Sequence, residues 1–319
     1  MMAKTDRLKR LLVPGLGIVA IALIVLPPFW PTYIVILLSQ TMIYAVVAMS
    51  LDVLIGYTNL GSLGHAAYFA IGAFTTAILE MRYKASFAVA LPSSVGMAAG
   101  ASALIGLLAL RTAGIYFLLI TLSVAMSIWG LIYRWASFTG GDNGISDIPR
   151  PDFGPWLDLS KHVPFYYFIL VFFILCLVLI IVLIRSPFGK TLVGIRDSES
   201  RMKVLGYNVW LHKYLAFIIA GAFAGLAGSV YACFNRFVGP SDASLDQCME
   251  FVLMVSIGGQ GTLIGANLGA LLITFMKNLL SVYTERYLLI LGLVYVLTAK
   301  YAPGGAMGLI RRLGKRSEL

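Results

Sequence analysis

Long apolar runs alternate with short polar segments along almost the whole chain. Runs of about 20 apolar residues have the length that an α-helix needs to cross the hydrocarbon core of a bilayer. Because backbone polar groups in lipid must hydrogen-bond within the protein, such runs predict a membrane-embedded helical bundle. The runs that we interpret as spans are 11–26, 33–54, 62–79, 86–110, 115–135, 164–184, 214–234, 245–257, 263–280 and 287–301.

The run 245–257 is the shortest of these, and a glycine-rich break at 258–261 separates it from the next. At helical rise it extends only about 20 Å. We interpret it as a half-helix beside a cavity, which lipid tolerates only where protein surrounds it. With this segment counted, the sequence predicts an all-α polytopic bundle of about ten transmembrane helices that forms a single domain over 1–319.

The positive charges give this bundle an orientation. The chain is 60% hydrophobic and only 12% charged, yet its net charge is +10. If the N-terminus is inside and every span crosses, most Lys and Arg residues fall on the inner side, as the positive-inside rule requires. We therefore expect both termini to be cytosolic, with lipid and not nucleic acid as the partner of the apolar surface.

Two long polar loops interrupt the apolar pattern. The segment 185–213 is basic and is predicted to be cytosolic, whereas 136–163 is predicted to be extracytoplasmic. In the basic loop we expect one polar helix over 189–205 with an apolar face that includes Leu205, ended by Gly206 as a left-handed cap. Such a helix either lies on the membrane surface or docks onto another protein.

Polar residues within the apolar spans are candidates for a translocation path. Asp52 and His65 fall near the cytosolic ends of neighbouring spans, where they are placed to pair or to contribute to a gate. Glu250 and Lys277 are predicted near the outer face, where snorkelling of the lysine explains them most simply. The candidates for the path or gate are Gln40, Asp52, Ser62, His65 and Asn267, with an interhelical hydrogen bond as the simpler role of Gln40.

The sequence contains no recognisable catalytic set. Its three histidines are far apart, its three cysteines lack metal or redox spacing, and it has no phosphate-binding loop of the Walker type. We therefore expect a chain that is not an enzyme, and that holds neither a cofactor nor a metal.

Several motifs together resemble one family, the permease subunits of branched-chain amino-acid ABC importers of the LivM type. The resemblance covers about residues 33 to 310, and no single motif would be specific. The motifs are Gly56-Tyr57 with 62–69 and 71–73, Thr139-Gly140-Gly141 with 143–146 and 148–151, Arg185-Ser186-Pro187-Phe188-Gly189 with Ile195-Arg196 and Leu205-Gly206, Ala224-Gly225-Leu226-Ala227-Gly228, and 258–265.

The resemblance implies a multi-pass protein of a bacterial inner membrane that moves branched-chain or related amino acids inward by alternating access. It implies a second, LivH-like permease subunit, two cytosolic ABC ATPases and an extracytoplasmic substrate-binding protein. The basic loop would then couple to an ATPase, although Arg201 and Met202 stand where the family usually has small residues. The implied coupling residues are Gly189, Arg196, Asp197, Glu199, Leu205 and Gly206, and those facing the binding protein are Asp142, Asn143 and Arg150.

Other functions remain open at the level of the sequence. A permease for urea or short amides shares much of this pattern. An ATP-independent secondary transporter or channel typically places ionisable residues at mid-membrane, and such residues are nearly absent here. A membrane scaffold is a third class, which the polar helix of the basic loop does not exclude.

Overall fold

The computed structural model describes residues 23–151, 159–284, 286–301 and 304–308, and most of them form α-helices. The apolar runs favour helices because a helix satisfies every backbone hydrogen bond within one segment. The helices are α1 (Thr32–Thr58), α2 (His65–Met81), α3 (Phe87–Ala109), α4 (Ile115–Arg134), α5 (Ala136–Thr139), α6 (His162–Arg185), α7 (Pro187–Asp197), α8 (Glu199–Val204), α9 (Val209–Asn235), α10 (Leu245–Gly258), α11 (Leu263–Tyr283) and α12 (Tyr287–Tyr301).

Among the described residues, six helices are long and apolar enough to cross a bilayer: α1, α3, α4, α6, α9 and α11. Their lengths of 20 to 27 residues correspond to about 30–40 Å at helical rise. The helices α2, α10 and α12 are shorter, with 17, 14 and 15 residues. An all-α membrane bundle is thus confirmed, whereas most of the predicted first span 11–26, and both termini, lie outside the described residues.

Helix α9 packs against α1, α2 and α3 at the centre of the bundle. It meets α2 backbone to backbone, because a Cβ on Gly72 would collide with Gly225 and one on Gly228 would collide with the carbonyl of Phe69. Small residues allow this approach in membranes, where close packing stabilises helix pairs. Helices α2 and α9 therefore form one tightly packed unit.

The short helix α10, which spans the run predicted to be a half-helix, packs against neighbouring helices on two sides. Its Phe251 is fully buried and packs edge-to-face on Tyr44 of α1 and Phe69 of α2, with ring centroids 5.6 and 5.5 Å apart. On its other side α10 contacts α11 so closely that a Cβ on Gly269 would overlap the carbonyl of Met254.

A two-stranded ribbon, which an all-α prediction misses, closes one end of the bundle. Strand β1 (Ile145–Ser146) pairs antiparallel with β2 (Phe237–Val238), and Ile145 lies opposite Val238. The amide of Ile148 also donates to the carbonyl of Arg236. These bonds connect the polar loop 136–163 to the segment that follows α9. We refer to this end as the ribbon end and to the opposite one as the basic-loop end.

Candidate functional site

The basic loop 185–213 folds as two helices, α7 and α8, and the prediction of one helix over 189–205 is wrong. The break is at Ser198, whose backbone is extended and whose hydroxyl accepts a hydrogen bond from the amide of Arg201 at 3.3 Å. Serine is a strong N-cap because its side chain satisfies an amide that the helix leaves unpaired. Ser186 caps α7 in the same way, by accepting from the amide of Gly189.

One side of the loop packs inward and the other is exposed. Ile195, Met202 and Val209 form a small buried cluster. Leu205 is 65% exposed, so its predicted place on the apolar face is wrong. The helix α8 ends before this residue, which carries it out of the helical register. The left-handed conformation predicted for Gly206 is confirmed by its φ of +85°.

The exposed side of the loop combines acidic and apolar side chains with the basic Arg201 and Lys203. The Asp197 side chain is 61% exposed, and Val204 next to Leu205 is 88% exposed. Glu199 forms an ion pair with Lys213 on the second turn of α9. This pair connects α8 to a long helix of the bundle, while the exposed side chains are available to another protein.

Arg196 joins the loop to the end of α1. Its Nη1 donates to the carbonyl oxygen of Gly56 at 2.8 Å, while Nε and Nη2 both donate to Asp197 Oδ1 at 3.1 Å. The Asp52 carboxylate, one turn earlier in α1, accepts from the amide of Gly261 at 2.7 Å. Because Gly261 lies between α10 and α11, three parts of the chain meet here, and we call this contact the basic-loop junction.

The close approach of α1 to the turn before α11 requires glycine at position 56. A Cβ there would collide with the amide of Gly261 and with the carboxylate of Asp52. The sequence reveals Gly56, Arg196 and the 258–265 segment as separate motifs but does not show that they touch. The sequence signal for this contact was that all three motifs belong to the same family pattern.

The predicted pair of Asp52 and His65 is not formed. Asp52 Oδ1 bonds to Gly261, and both ring nitrogens of the buried His65 lack a hydrogen-bond partner among the described residues. The His65 ring packs edge-to-face on Tyr68, with centroids 5.9 Å apart. The carboxylate uses Oδ1 for a backbone amide of the 258–261 turn, while its buried Oδ2 has no hydrogen-bond partner among the described residues.

The other candidates for the path do not gather at one place. Gln40 contacts the hydroxyl of Tyr44 on its own helix at 3.5 Å, so the bond is not interhelical. Ser62 is buried and accepts from the amide of Gly64. Asn267 donates to the carbonyl of Leu263, one turn back in α11. Asn267 Nδ2 also contacts Met49 Sδ of α1 at 3.4 Å, and its buried Oδ1 has no hydrogen-bond partner among the described residues. The bonds described for these three side chains join none of them to another, which gives no evidence for a shared binding pocket.

The sequence suggested that Glu250 and Lys277 are separate residues near the outer face, with the lysine snorkelling. In the structure they form a pair instead. Lys277 Nζ lies 2.7 and 2.9 Å from the two carboxylate oxygens of Glu250, and the Glu250 side chain is only 1% exposed. The sequence does place an acid and a base in two consecutive apolar helices. Because ionisable groups in membranes rarely lack a partner, this arrangement was a signal for the pair.

In the polar loop, two of the three predicted contact residues are exposed and one is structural. Asp142 and Asn143 are exposed next to the ribbon. Arg150 is half-buried, donates to the carbonyls of Leu159 and Ser160, and lies 4.8 Å from the ring centroid of Phe165. Burial lowers the pKa of its guanidinium. The part 152–158 of this loop lies outside the described residues.

Asp242, in the segment between α9 and α10, is a further buried acid at the ribbon end. Its Oδ2 accepts from the amide of Gly239 at 3.0 Å. Burial raises the pKa of this carboxyl to about 6, against the lowering effect of that bond and of the Tyr231 hydroxyl. Among the described residues there is no cluster of His, Cys, Asp and Glu side chains that could hold a metal ion.

Comparison with known proteins gives a consistent result. A family profile described as branched-chain amino acid transport system, permease component, matches residues 33–299. The high-affinity branched-chain amino acid transport system permease protein LivM of Escherichia coli is 32% identical over 91% of this chain and 75% of its own length. Its namesake in Salmonella typhimurium is 31% identical over 91% of this chain and 74% of its own.

A more distant relative is the guanosine ABC transporter permease protein NupQ of Bacillus subtilis. It is 26% identical over 56% of this chain and 59% of its own length. No solved structure matches the chain.

Proposed function

Because this chain belongs to the family of branched-chain amino acid transport system permease components, we propose that it carries branched-chain or related amino acids into the cell. It is a multi-pass membrane component of an ABC transporter and not an enzyme. The proposed direction is inward across a bacterial inner membrane, by alternating opening of a path between packed helical units. The observation that carries the proposal is the similarity to LivM along 91% of the chain.

The proposed topology has about ten spans and cytosolic termini. The basic loop then faces the cytosol, and the ribbon end faces the extracytoplasmic side. Support comes from the excess of Lys and Arg in the basic loop, since cytosolic loops carry such an excess. A second permease subunit, two cytosolic ATPases and an extracytoplasmic binding protein complete the proposed importer.

The exposed side of α7 and α8 is the proposed contact for an ATPase. This role is supported by the basic-loop junction, because Arg196 connects the loop to α1 while Asp52 connects α1 to the α10–α11 turn. Movement of the loop would therefore reach three helices of the bundle through two hydrogen bonds. In this scheme Gly189 and Gly206 shape the loop, and Asp197, Glu199 and Leu205 lie where a partner can contact them.

The relatives favour amino-acid transport over the other functions that the sequence left open. A urea or short-amide permease and an ATP-independent carrier both lack a counterpart among the relatives compared above. Transport of a nucleoside has one distant counterpart, NupQ, which aligns with only 56% of this chain. We therefore treat guanosine and urea as competing substrates in the test and not as proposals.

The test is reconstitution of the chain with its second permease and ATPases in liposomes, with binding protein and radiolabelled leucine, urea or guanosine. We expect leucine uptake that requires both ATP and the binding protein. Uptake that continues without the ATPase subunits would contradict an ATP-driven importer. Uptake of urea or guanosine in place of leucine would contradict the substrate class while leaving the transporter class intact.

A further inference from the structure

Two oppositely charged side chains meet inside the bundle, away from the basic-loop junction. Lys277 Nζ contacts both carboxylate oxygens of Glu250, whose side chain is 1% exposed, whereas the Lys277 side chain is 27% exposed. Desolvation offsets most of the attraction in such a pair, so stability alone is a weak reason to keep it. Ionisable groups within membrane bundles more often mark the path of a substrate or an ion.

Each member of the pair has an unsatisfied polar neighbour one helical turn away. Gln247 precedes Glu250 by three residues on α10, and Thr274 precedes Lys277 by three on α11, so each neighbour shares a helix face with its charged residue. Gln247 Nε2 and Thr274 Oγ1 are buried and have no hydrogen-bond partner among the described residues. Buried polar atoms are nearly always hydrogen-bonded, so these two indicate a place for a polar molecule.

The backbones of α10 and α11 hold the pair in a fixed frame. A Cβ on Gly269 would overlap the carbonyl of Met254, and one on Gly258 would overlap the carbonyl of Gly265. At helical rise Lys277 lies about 9 Å from the end of α11 at Tyr283 and about 20 Å from its start at Leu263. The charges therefore sit nearer the ribbon end, on the side from which the proposed importer receives its substrate.

We propose that Glu250 and Lys277 recognise the α-ammonium and α-carboxylate groups of an amino acid in transit, an inference that rests on the proposed function. The ammonium donates to the Glu250 carboxylate and the carboxylate accepts from Lys277 Nζ, so the zwitterion inserts between the two side chains and takes over their pairing. Gln247 Nε2 donates to the substrate carboxylate, and the Thr274 hydroxyl bonds to either group. The substrate approaches from the partly exposed Lys277 side.

A purely structural ion pair and a recognition site respond differently to joint neutralisation. Lys277→Met alone leaves the buried Glu250 carboxylate without its cation, which destabilises the fold, whereas changing both residues to neutral ones of similar size removes that cost. If the pair is structural, the double variant Glu250→Gln with Lys277→Met recovers both stability and transport. If the pair recognises substrate, the double variant recovers stability alone.

The experiment uses the complete importer in liposomes with saturating leucine-loaded binding protein, and measures leucine moved per ATP hydrolysed. We expect the double variant to keep its unfolding temperature and ATP hydrolysis while this ratio falls about tenfold or more, the scale of lost charge-assisted bonds. Thr274→Val, which is nearly isosteric, should lower the ratio less, and Ser281→Ala on the exposed side of α11 should leave it unchanged. An unchanged ratio in the double variant overturns the inference.

A second readout is direct binding to the complex without binding protein, by equilibrium dialysis with leucine, isoamylamine or 4-methylpentanoate. The wild type should prefer leucine both over the amine, which lacks the carboxylate, and over 4-methylpentanoate, which lacks the ammonium, and the stable double variant should lose both preferences. Equal binding of leucine and isoamylamine by the wild type would overturn the inference. Failure of the wild-type importer to transport leucine would overturn the proposed function itself, whereas wild-type transport with an unaffected double variant overturns the recognition site alone.

Discussion

The guanidinium of Arg196 donates a 2.8 Å hydrogen bond to the carbonyl oxygen of Gly56, which lies 140 residues earlier in the chain. Gly56 belongs to the last turn of α1, where carbonyl groups have no partner within the helix. A cationic side chain at this position also interacts favourably with the helix dipole. Arg196 thus satisfies a free carbonyl at the end of α1 from a separate loop. The conformation of this helix end therefore depends on the position of the loop.

Replacing Arg196 by alanine should loosen this contact. Loss of a hydrogen bond from a charged donor costs about 1.5–3 kcal/mol of unfolding free energy, so we expect a lower unfolding temperature in detergent. Uptake should fall several-fold because the loop no longer moves α1. Arg111→Ala removes an equally positive but exposed side chain and serves as the control. Equal effects of the two changes would show that only overall charge matters.

A methyl group at position 56 should disrupt the basic-loop junction. The Cβ of Gly56→Ala would collide with the Gly261 amide and the Asp52 carboxylate, so α1 and the α10–α11 turn must separate. We expect assembled complex, measured by size-exclusion chromatography, to fall several-fold. Gly100→Ala is the matched control, because a Cβ there meets no atom within 4 Å and alanine favours the helix. Similar yields for both variants would refute the crowding argument.

Changes at Asp52 separate the role of its hydrogen bond from that of its charge. Asp52→Asn keeps an oxygen that can accept from the Gly261 amide, whereas Asp52→Ala leaves that amide without this acceptor at a cost of about 1–3 kcal/mol. We expect thermal stability and uptake to survive in the asparagine variant and to fall in the alanine variant. Equal loss in both would mean that the carboxylate charge itself is needed.

The conformation of Gly206 makes the end of the basic loop sensitive to substitution. Its φ of +85° is inaccessible to proline, which requires a φ near −65°. Gly206→Pro should therefore reduce co-purification of the ATPase subunits several-fold while membrane insertion persists. Asparagine tolerates the left-handed region, so Gly206→Asn should retain most of the binding. Unchanged co-purification of the proline variant would indicate that the loop lies on lipid instead.

Burial of Asp242 should make the unfolding free energy of the protein depend on pH. Its pKa is raised from 3.8 to about 6 in the folded protein, chiefly by burial, so its protonated form is the favoured one there. The resulting stability is fully present below about pH 4 and is lost as the pH rises through about 6. Asp242→Asn should flatten the unfolding temperature across this interval, and the exposed Asp142→Asn should not. A profile that both variants leave unaltered would exclude Asp242 as its source.

The existence of the long helices follows from local hydropathy, and so the sequence predicts them well. The run 86–110 corresponds to α3, and 164–184 corresponds to α6, each within two residues at either end. The run 33–54 stops short of the end of α1, because the helix continues through Gly56 to Thr58 until Asn59 adopts a left-handed conformation. Such endings depend on backbone geometry that hydropathy does not register.

The contacts that define the candidate site could not be predicted from the sequence, for a different reason. Asp52 and Gly261 are 209 residues apart, and no local pattern indicates which amide a buried carboxylate will find. The ribbon consists of only two residues in each strand, too few for an alternation to be recognised. By contrast, the left-handed Gly206 was predictable, because a glycine after a helical pattern is a local signal.

Helix α9 is attached at both ends to segments that lie outside the bundle core. Its first residues follow the basic loop, and its Lys213 pairs with Glu199, while the chain beyond its last residue forms the ribbon with the polar loop. With 27 residues, α9 is about 40 Å long. In an importer of the proposed orientation, a displacement of the basic loop by an ATPase would shift α9 and so reach the ribbon on the opposite side of the membrane. Contact of the binding protein with the ribbon end and ATP hydrolysis in the cytosol would then both act on this one helix.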